Sequence, residues 1–296
     1  MRHDFVRGLC ELAAEDPRIV LLTADLGFGT IEAFADRFPD RFINVGVAEQ
    51  SLIGVATGLA QQGLTPYCYS IASFAVGRTW EFLRNGPVAH GLTVGLIGIG
   101  PGFDYGADGH THHALEDISL IRSLDRSRVI APADGPAAEQ FGRTALSAGQ
   151  LTYFRLARHA AECPVPRWHG ETDDFARTVI ISLGDAWSQG CEIEAALTSA
   201  GIENQHFVVE GLGSSESHLG LERLVGVKRV IAVESHLPRG GLFSAVAEQL
   251  TRVGWPGRLL HIGPTEMPIG ELGESRFLWK SQALPSERIL EWVLTP

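Results

Sequence analysis

Apolar and polar residues fall along this chain in blocks. Unbroken, mostly apolar runs recur at 19–24 (IVLLTA), 42–47, 65–70, 94–99, 127–131, 151–157, 178–183, 205–210, 228–234 and 258–262. Between them lie stretches with apolar residues three and four apart, at 3–15, 31–38, 51–61, 77–89, 114–124, 136–148, 187–200, 217–224, 242–253 and 285–294. A short continuous apolar run is a strand buried on both faces, and a 3.6-residue period is a helix packed on one side. Strands alternating with helices predict α/β architecture: parallel sheets with helices wound over both faces. Two prolines and a polar run mark 161–176 as a linker. The chain therefore divides into two doubly wound units, 1–160 and 177–296.

The most informative stretch is 41–63, RFINVGVAEQSLIGVATGLAQQG. Its strand end runs directly into Glu49, and a helix of small and aliphatic residues follows, closed by Gly63 as a C-terminal cap. A carboxylate at a strand-to-helix junction stands where α/β sheets bind ligands. It has structural readings too: an acid in a first helical turn favours the dipole or caps an N–H. Between an apolar strand and a small-residue helix the group is hard to hydrate, which suits sharing a proton with a ring nitrogen. Gly54 and Gly58 would let this helix approach another backbone closely.

Net charge is −11, from 24 Lys+Arg against 35 Asp+Glu. That excludes a nucleic-acid or anionic-membrane surface as the main partner. No apolar window reaches the roughly 18 residues of a membrane span, and the first residues lack a signal-peptide core. Cys10, Cys68, Cys163 and Cys191 lie far apart without a C-x-x-C and read as free thiols of a cytoplasmic protein.

Candidate chemistry lies after the strands. Asp25-Leu26-Gly27 is a glycine-bearing turn with one acid. Phe74 could stack on a flat ligand, and Trp80 reads as core. Asp108-Gly109-His110-Thr111-His112-His113, with Glu116 and Asp117, lies in a glycine-rich stretch with Gly100, Gly102, Gly106 and Gly109. Its H-x-H-H spacing lacks the separation of common zinc motifs, so substrate hydrogen bonding by Asp108 and His112 is the better reading than metal binding; a solvated loop capping the next helix is the plain one. Arg155 and Arg158 could clamp an anion, or form surface ion pairs. Glu234-Ser235-His236 with Gly240-Gly241 is a tight corner into a helix that could bind an anion, with a structural corner the better reading. There is no P-loop, GxSxG, GxGxxG or HExxH.

Taken together, NVGVAEQSLIGVATGLA, the YS…SF…R pattern at 69–78, DGHTHHALEDI, RVIAPAD and VESHLPRGGLFSAVAE resemble the C-terminal half of transketolases, and more closely the separate C-terminal subunit of split, two-gene transketolases. The similarity covers nearly the whole chain. It implies a thiamin-diphosphate pyrimidine-binding (PYR) domain followed by the transketolase C-terminal domain. By this resemblance Glu49 hydrogen-bonds N1′ of the cofactor's aminopyrimidine and sets its tautomer. Phe74 stacks on the pyrimidine, and Asp25 and Leu26 line the cofactor near the thiazolium. Asp108 and His112 bind hydroxyls of the sugar, with His112 also catalytic, and Arg158 holds a substrate phosphate.

The family's diphosphate-binding domain carries a GDG motif for Mg²⁺ and diphosphate, and this chain has none; Gly184-Asp185-Ala186 is the nearest approach. The sequence also starts at the first helix of the PYR domain. Mg²⁺ and diphosphate are thus expected on an N-terminal partner subunit, in an α2β2 heterotetramer, with no metal ligand in this chain and the 51–61 helix near an interface. His110 stands where many transketolases have proline. The family's serine near Gly29 and histidine near Gly100 are missing, so the substrate is a sugar or a sugar phosphate. Two rival readings share the PYR plan: the β subunit of a 2-oxoacid dehydrogenase, and a regulatory PYR protein without turnover. The histidine-bearing DGHTHHALED and the ESH…GGL block argue against the first. Glu49, Phe74, Asp108 and His112 standing together argue against the second.

Overall fold

The structure is a computed structural model that describes residues 1–158, 161–168, 175–213 and 221–295. The strands are β1 Ile19–Thr23, β2 Phe42–Asn44, β3 Thr65–Ile71, β4 Val94–Ile99, β5 Ser127–Ile130, β6 Leu151–Leu156, β7 Thr178–Leu183, β8 Asn204–Val209, β9 Gly211–Gly213, β10 Arg229–Val233 and β11 Arg258–Ile262. The α-helices are α1 Arg2–Glu15, α2 Glu32–Arg37, α3 Glu49–Gln61, α4 Ala72–Gly77, α5 Trp80–Leu83, α6 Asp117–Arg122, α7 Gly135–Arg143, α8 Trp187–Ser199, α9 Leu242–Arg252, α10 Ser275–Gln282 and α11 Ser286–Leu294. They build a mixed α/β fold with two sheets. The first has the order β2-β1-β3-β4-β6-β5-β9 and the second β11-β10-β7-β8. All pairings are parallel except β5 with β9.

Strand periodicity sorts the core. In β1, Ile19 and Leu21 enter one apolar cluster while Val20 and Leu22 enter another, because successive side chains point to opposite faces. β7 and β10 do the same: Val179, Ile181, Val230 and Ala232 join the cluster of Val20 and Leu22, whereas Ile180 and Ile231 face α8 and α11. One apolar layer is thus shared by both sheets. β9 tightens that union, since residues beyond the second sheet's edge strand return to pair antiparallel with β5.

Two expected helices differ, and two elements were not expected. The helix expected at 77–89 is broken into α4, α5 and a π-turn at Arg84–Val88, where Pro87 removes a backbone donor. Of the helix expected at 217–224, the described part is a 3₁₀ segment, Leu221–Gly226; 217–220 lie outside the described residues. β9 and α10 carried no clear periodic signal. The stretch 169–174 of the expected linker also lies outside the described residues.

β1 pairs with β2 on one side and β3 on the other. The chain therefore reverses its winding direction at β1, which opens a crevice at the strands' carboxyl ends.

Candidate active site

Parallel strands bring all their carboxyl ends to one edge. Asp25 and Leu26 follow β1, Glu49 follows β2, Phe74 follows β3, Asp108 and His112 follow β4, and Arg158 follows β6. The register keeps these ends level: Thr23 lies beside Asn44 and Tyr69, and Ile99 beside Ile71 and Leu156.

Glu49 is the first residue of α3 and is 2% exposed. Its Oε2 accepts a hydrogen bond from Arg78 at 2.9 Å, and Arg78 reaches in from the exposed side. The Arg78 guanidinium lies 4.4 Å over the Phe74 ring. Phe74 meets His112 edge-on at 5.0 Å, His112 meets Tyr105 at 6.1 Å, and the Arg158 guanidinium covers Tyr105 at 4.7 Å. One continuous row of side chains therefore runs from Glu49 to Arg158. Arg78 and Tyr105 are its links; Arg78 ends the YS…SF…R pattern at 69–78, whereas Tyr105 carries no sequence signal of its own. Tyr105 depends on Gly100, whose φ is +79° and whose absent Cβ would sit 2.1 Å from the tyrosine ring.

The remaining candidates are placed differently. Asp25 adopts a left-handed φ of 58°, held by a pair of bonds with Asn44: its N–H donates to Asn44 Oδ1 at 3.1 Å, and Asn44 Nδ2 donates to its Oδ1 at 2.9 Å. The Leu26 N–H donates to Thr23 Oγ1 at 3.2 Å. Both residues sit at the carboxyl end of β1. Asp108 is exposed, in a 3₁₀ turn at Gly106–Asp108. Arg158 is anchored by Asp104, whose carboxylate accepts its backbone N–H at 2.8 Å.

The three loop histidines are not brought together. His110 is exposed, His112 joins the row, and His113 is buried edge-on against Phe103 at 5.0 Å, where burial lowers its pKa. Among the described residues none of these histidines belongs to a cluster able to hold a metal. The second half of the chain backs this loop, with Gly273 N–H donating to Gly106 C=O at 3.2 Å and Leu237 N–H to Leu115 C=O at 3.0 Å.

Two places where an anion could have bound are closed by the chain's own groups. Arg155 is not an anion clamp. It is 2% exposed, donates to Asp117 Oδ2 at 2.8 Å and to Ser235 C=O at 2.8 Å, and has no open side for a ligand. The helix start after Gly240-Gly241 is already occupied by the chain's own carboxyl group: Glu234 accepts from Leu242 N–H at 2.5 Å and Phe243 N–H at 2.9 Å. Burial nevertheless drives the Glu234 pKa up to about 8, against those two donors. Burial likewise lowers His236 and His261 to about 4. The 3.5 Å contact of His261 with Glu234 is therefore, at neutral pH, one between a neutral acid and a neutral imidazole.

At Gly54 and Gly58 of α3 an added methyl would meet nothing within 4 Å. Nearby apolar side chains are also uncovered: Phe28 and Val47 are each 75% exposed and Val55 38%. Among the described residues no helix is long and apolar enough to cross a membrane.

Residues 1–163 match the family described as transketolase, pyrimidine binding domain. A putative transketolase C-terminal section of Methanocaldococcus jannaschii is 31% identical over 99% of this chain and 95% of its own length. A 6-deoxy-6-sulfo-D-fructose transketolase subunit of Clostridium sp. (strain MSTE9) is 29% identical, over 98% of this chain and 92% of that one. A solved split-gene transketolase, described as an inactive beta4 tetramer, superposes with a TM-score of 0.83 at 30% identity, covering 98% of this chain and 95% of that one.

Proposed function

This chain belongs to the transketolase family, and from that premise we propose that it is the C-terminal subunit of a split transketolase. It would transfer a two-carbon ketol unit between sugar or sugar-phosphate substrates, together with an N-terminal subunit that holds Mg²⁺ and the cofactor's diphosphate. The observation that carries this reading is the buried Glu49 carboxylate at the winding reversal, joined through Arg78 to Phe74 and His112.

The residues fit the pyrimidine half of thiamin diphosphate. Glu49 offers a carboxylate shielded from water, and half-buried Phe74 an aromatic surface beside it. The hydroxyls of Ser70 and Ser73, at the same strand end, are buried without a partner among the described residues and remain able to engage a polar ring. When bound, the cofactor supplies the carbanion chemistry that ketol transfer needs. Glu49 holds a proton at the ring nitrogen N1′, and Arg78 fixes the carboxylate's orientation. Phe74 positions the ring by stacking. Asp25 and Leu26 line the crevice toward the thiazolium. Asp108 and His112 hydrogen-bond the sugar's hydroxyls, with His112 placed for proton transfer. Arg158 presents a cation to a substrate anion, and the sulfonated sugar named for the Clostridium relative supports an anionic end group.

The uncovered α3 face with Phe28 and Val47 supports a subunit contact beside the site. The inactive state named for the beta4 relative supports the need for a second kind of chain. An α2β2 heterotetramer is the assembly this suggests. The dehydrogenase and regulatory readings have no observation in their favour.

The test is reconstitution with a diphosphate-binding subunit, a ketose donor and an aldose acceptor. Ketol transfer that needs both chains and thiamin diphosphate is expected. Turnover of a branched 2-oxoacid with a lipoyl acceptor, in place of ketol transfer, would sink the proposal.

A further inference from the structure

A second cluster of chemically capable side chains lies away from the crevice, on the outer strand of the second sheet. Cys191 and Glu194 are three residues apart on α8, hence on one face of the helix. His206 faces them from β8 and is 4% exposed. Its Nδ1 lies 4.0 Å from Cys191 Sγ and 3.3 Å from Glu194 Oε2, and the three donor atoms all fall within 4.8 Å of one another. Ligand bonds of about 2.0–2.3 Å around a tetrahedral ion place donor atoms roughly 3.3–3.6 Å apart. These side chains therefore need only a small rotation of the thiol to close on one ion.

The surroundings are built to hold the imidazole in that pose. Its other nitrogen, Nε2, lies 2.7 Å from the fully buried Ser182 Oγ on β7. An Nε2–H donated to that hydroxyl leaves the Nδ1 lone pair directed at Cys191 and Glu194, the outer hydrogen bond that metal-bound histidines use to fix their tautomer. Gly190 makes room for this arrangement. A Cβ there would lie 2.4 Å from the His206 ring and 2.3 Å from Ser182 Oγ, so any side chain would push the imidazole off the helix. Glu194 is 42% exposed, which gives the site access from solvent and leaves a fourth position for water.

We propose that Cys191, Glu194 and His206 form a binding site for one divalent transition-metal ion of the zinc class. A thiolate, an imidazole and a carboxylate suit zinc or cobalt, and exclude the all-oxygen chemistry of Mg²⁺ or Ca²⁺. Binding releases the Cys191 thiol proton to solvent, so that the thiolate sulfur donates to the ion. The ion joins α8 to β8, the edge strand of the second sheet. The site is separate from the proposed thiamin-diphosphate crevice and does not depend on it.

The full chain, freed of metal and without thiamin diphosphate, is titrated with Co²⁺ and then Zn²⁺. The expected result is one equivalent of Co²⁺ with a thiolate-to-cobalt charge-transfer band, displaced by Zn²⁺, together with a higher unfolding temperature in zinc. Cys191→Ser removes the band, Ser182→Ala weakens Co²⁺ binding roughly tenfold, and Cys163→Ser, at the neighbouring buried thiol, changes neither. Glu194→Gln, on the solvent side, keeps the test valid if the variants at buried positions do not fold; it too must weaken binding. A missing charge-transfer band, or binding that is equal in wild type, Cys191→Ser and Glu194→Gln, overturns the site.

Discussion

Two clusters of charge stand at the strand ends of this molecule, and they are built in opposite ways. The first, Glu49 to Arg158, buries one carboxylate and leaves its partner half-open: Arg78 is 48% exposed. The second joins the two halves of the chain and is closed. Asp117 accepts from Arg155 Nε at 2.8 Å and from Tyr153 O–H at 2.7 Å, and His236 approaches Ser119 at 3.4 Å. Arg122 reaches across to Gly240 C=O at 2.8 Å. Glu234 and His236 are fully buried. The closed cluster holds strongly displaced pKa values, yet it has no room for a substrate. Displacement there reports burial. A ligand site is recognised instead by side chains from different strands converging on a shared opening.

The closed cluster should respond most strongly to substitution. Asp117→Ala leaves the Arg155 guanidinium buried without its main counter-charge, and should cost roughly 3–5 kcal/mol of unfolding free energy in urea titration. Pairing it with Arg155→Met should return much of that loss; no return would mean the pair does more than hold the junction. At the open member the same kind of change should spare the fold. His112→Ala should lower kcat/KM of the reconstituted enzyme roughly 10²-fold, with an unfolding free energy within about 0.5 kcal/mol of wild type. A large stability loss would make His112 a packing residue.

Titration sharpens the contrast. The folded-state pKa of Glu234 is raised, so folding takes up a proton, and its contribution is fully present below about 4.5 and lost as pH rises to about 8. His236 and His261 have lowered values, so their contribution is present above about 6.5 and lost as pH falls toward 4. Asp185, raised by burial to about 6, has finished its change by then. Between pH 6.5 and 8 Glu234 dominates within this cluster. Stability should fall there by about 1–2 kcal/mol, and Glu234→Gln should flatten the profile. The smallest effect is expected on the open face of α3. A Cβ at Gly58 meets nothing within 4 Å, so in Gly58→Ala folding should hold while association with the partner subunit weakens roughly tenfold, about 1.4 kcal/mol, in a sedimentation or pull-down titration.

Much of this was legible in the residues, for definite reasons. The alternation of apolar runs and helical periods set the two-sheet α/β fold, because burial on both faces leaves strands such as Ile19–Thr23 and Thr178–Leu183 mostly apolar, without an alternating polar face. Glu49, Phe74 and His112 stood out because each follows a strand. Arg78 stood out too, as the arginine of the YS…SF…R pattern; Tyr105 did not, since a side chain that bridges two others has no periodic signature. Arg155 was misread because one residue type serves both an anion site and a buried ion pair, and the difference lies in Asp117, thirty-eight residues away. The β9 pairing escaped because three residues are too few to carry a period.

The central claim is that Glu49 acts on the pyrimidine of a cofactor shared with another chain. Its most direct test is ketol-transfer turnover by the two-subunit enzyme with Glu49→Gln, which keeps the side chain's size and removes its charge. Turnover should drop roughly 10²–10⁴-fold while the assembly and its unfolding midpoint stay as in wild type. A Glu49→Gln enzyme that turns over near the wild-type rate would contradict the account.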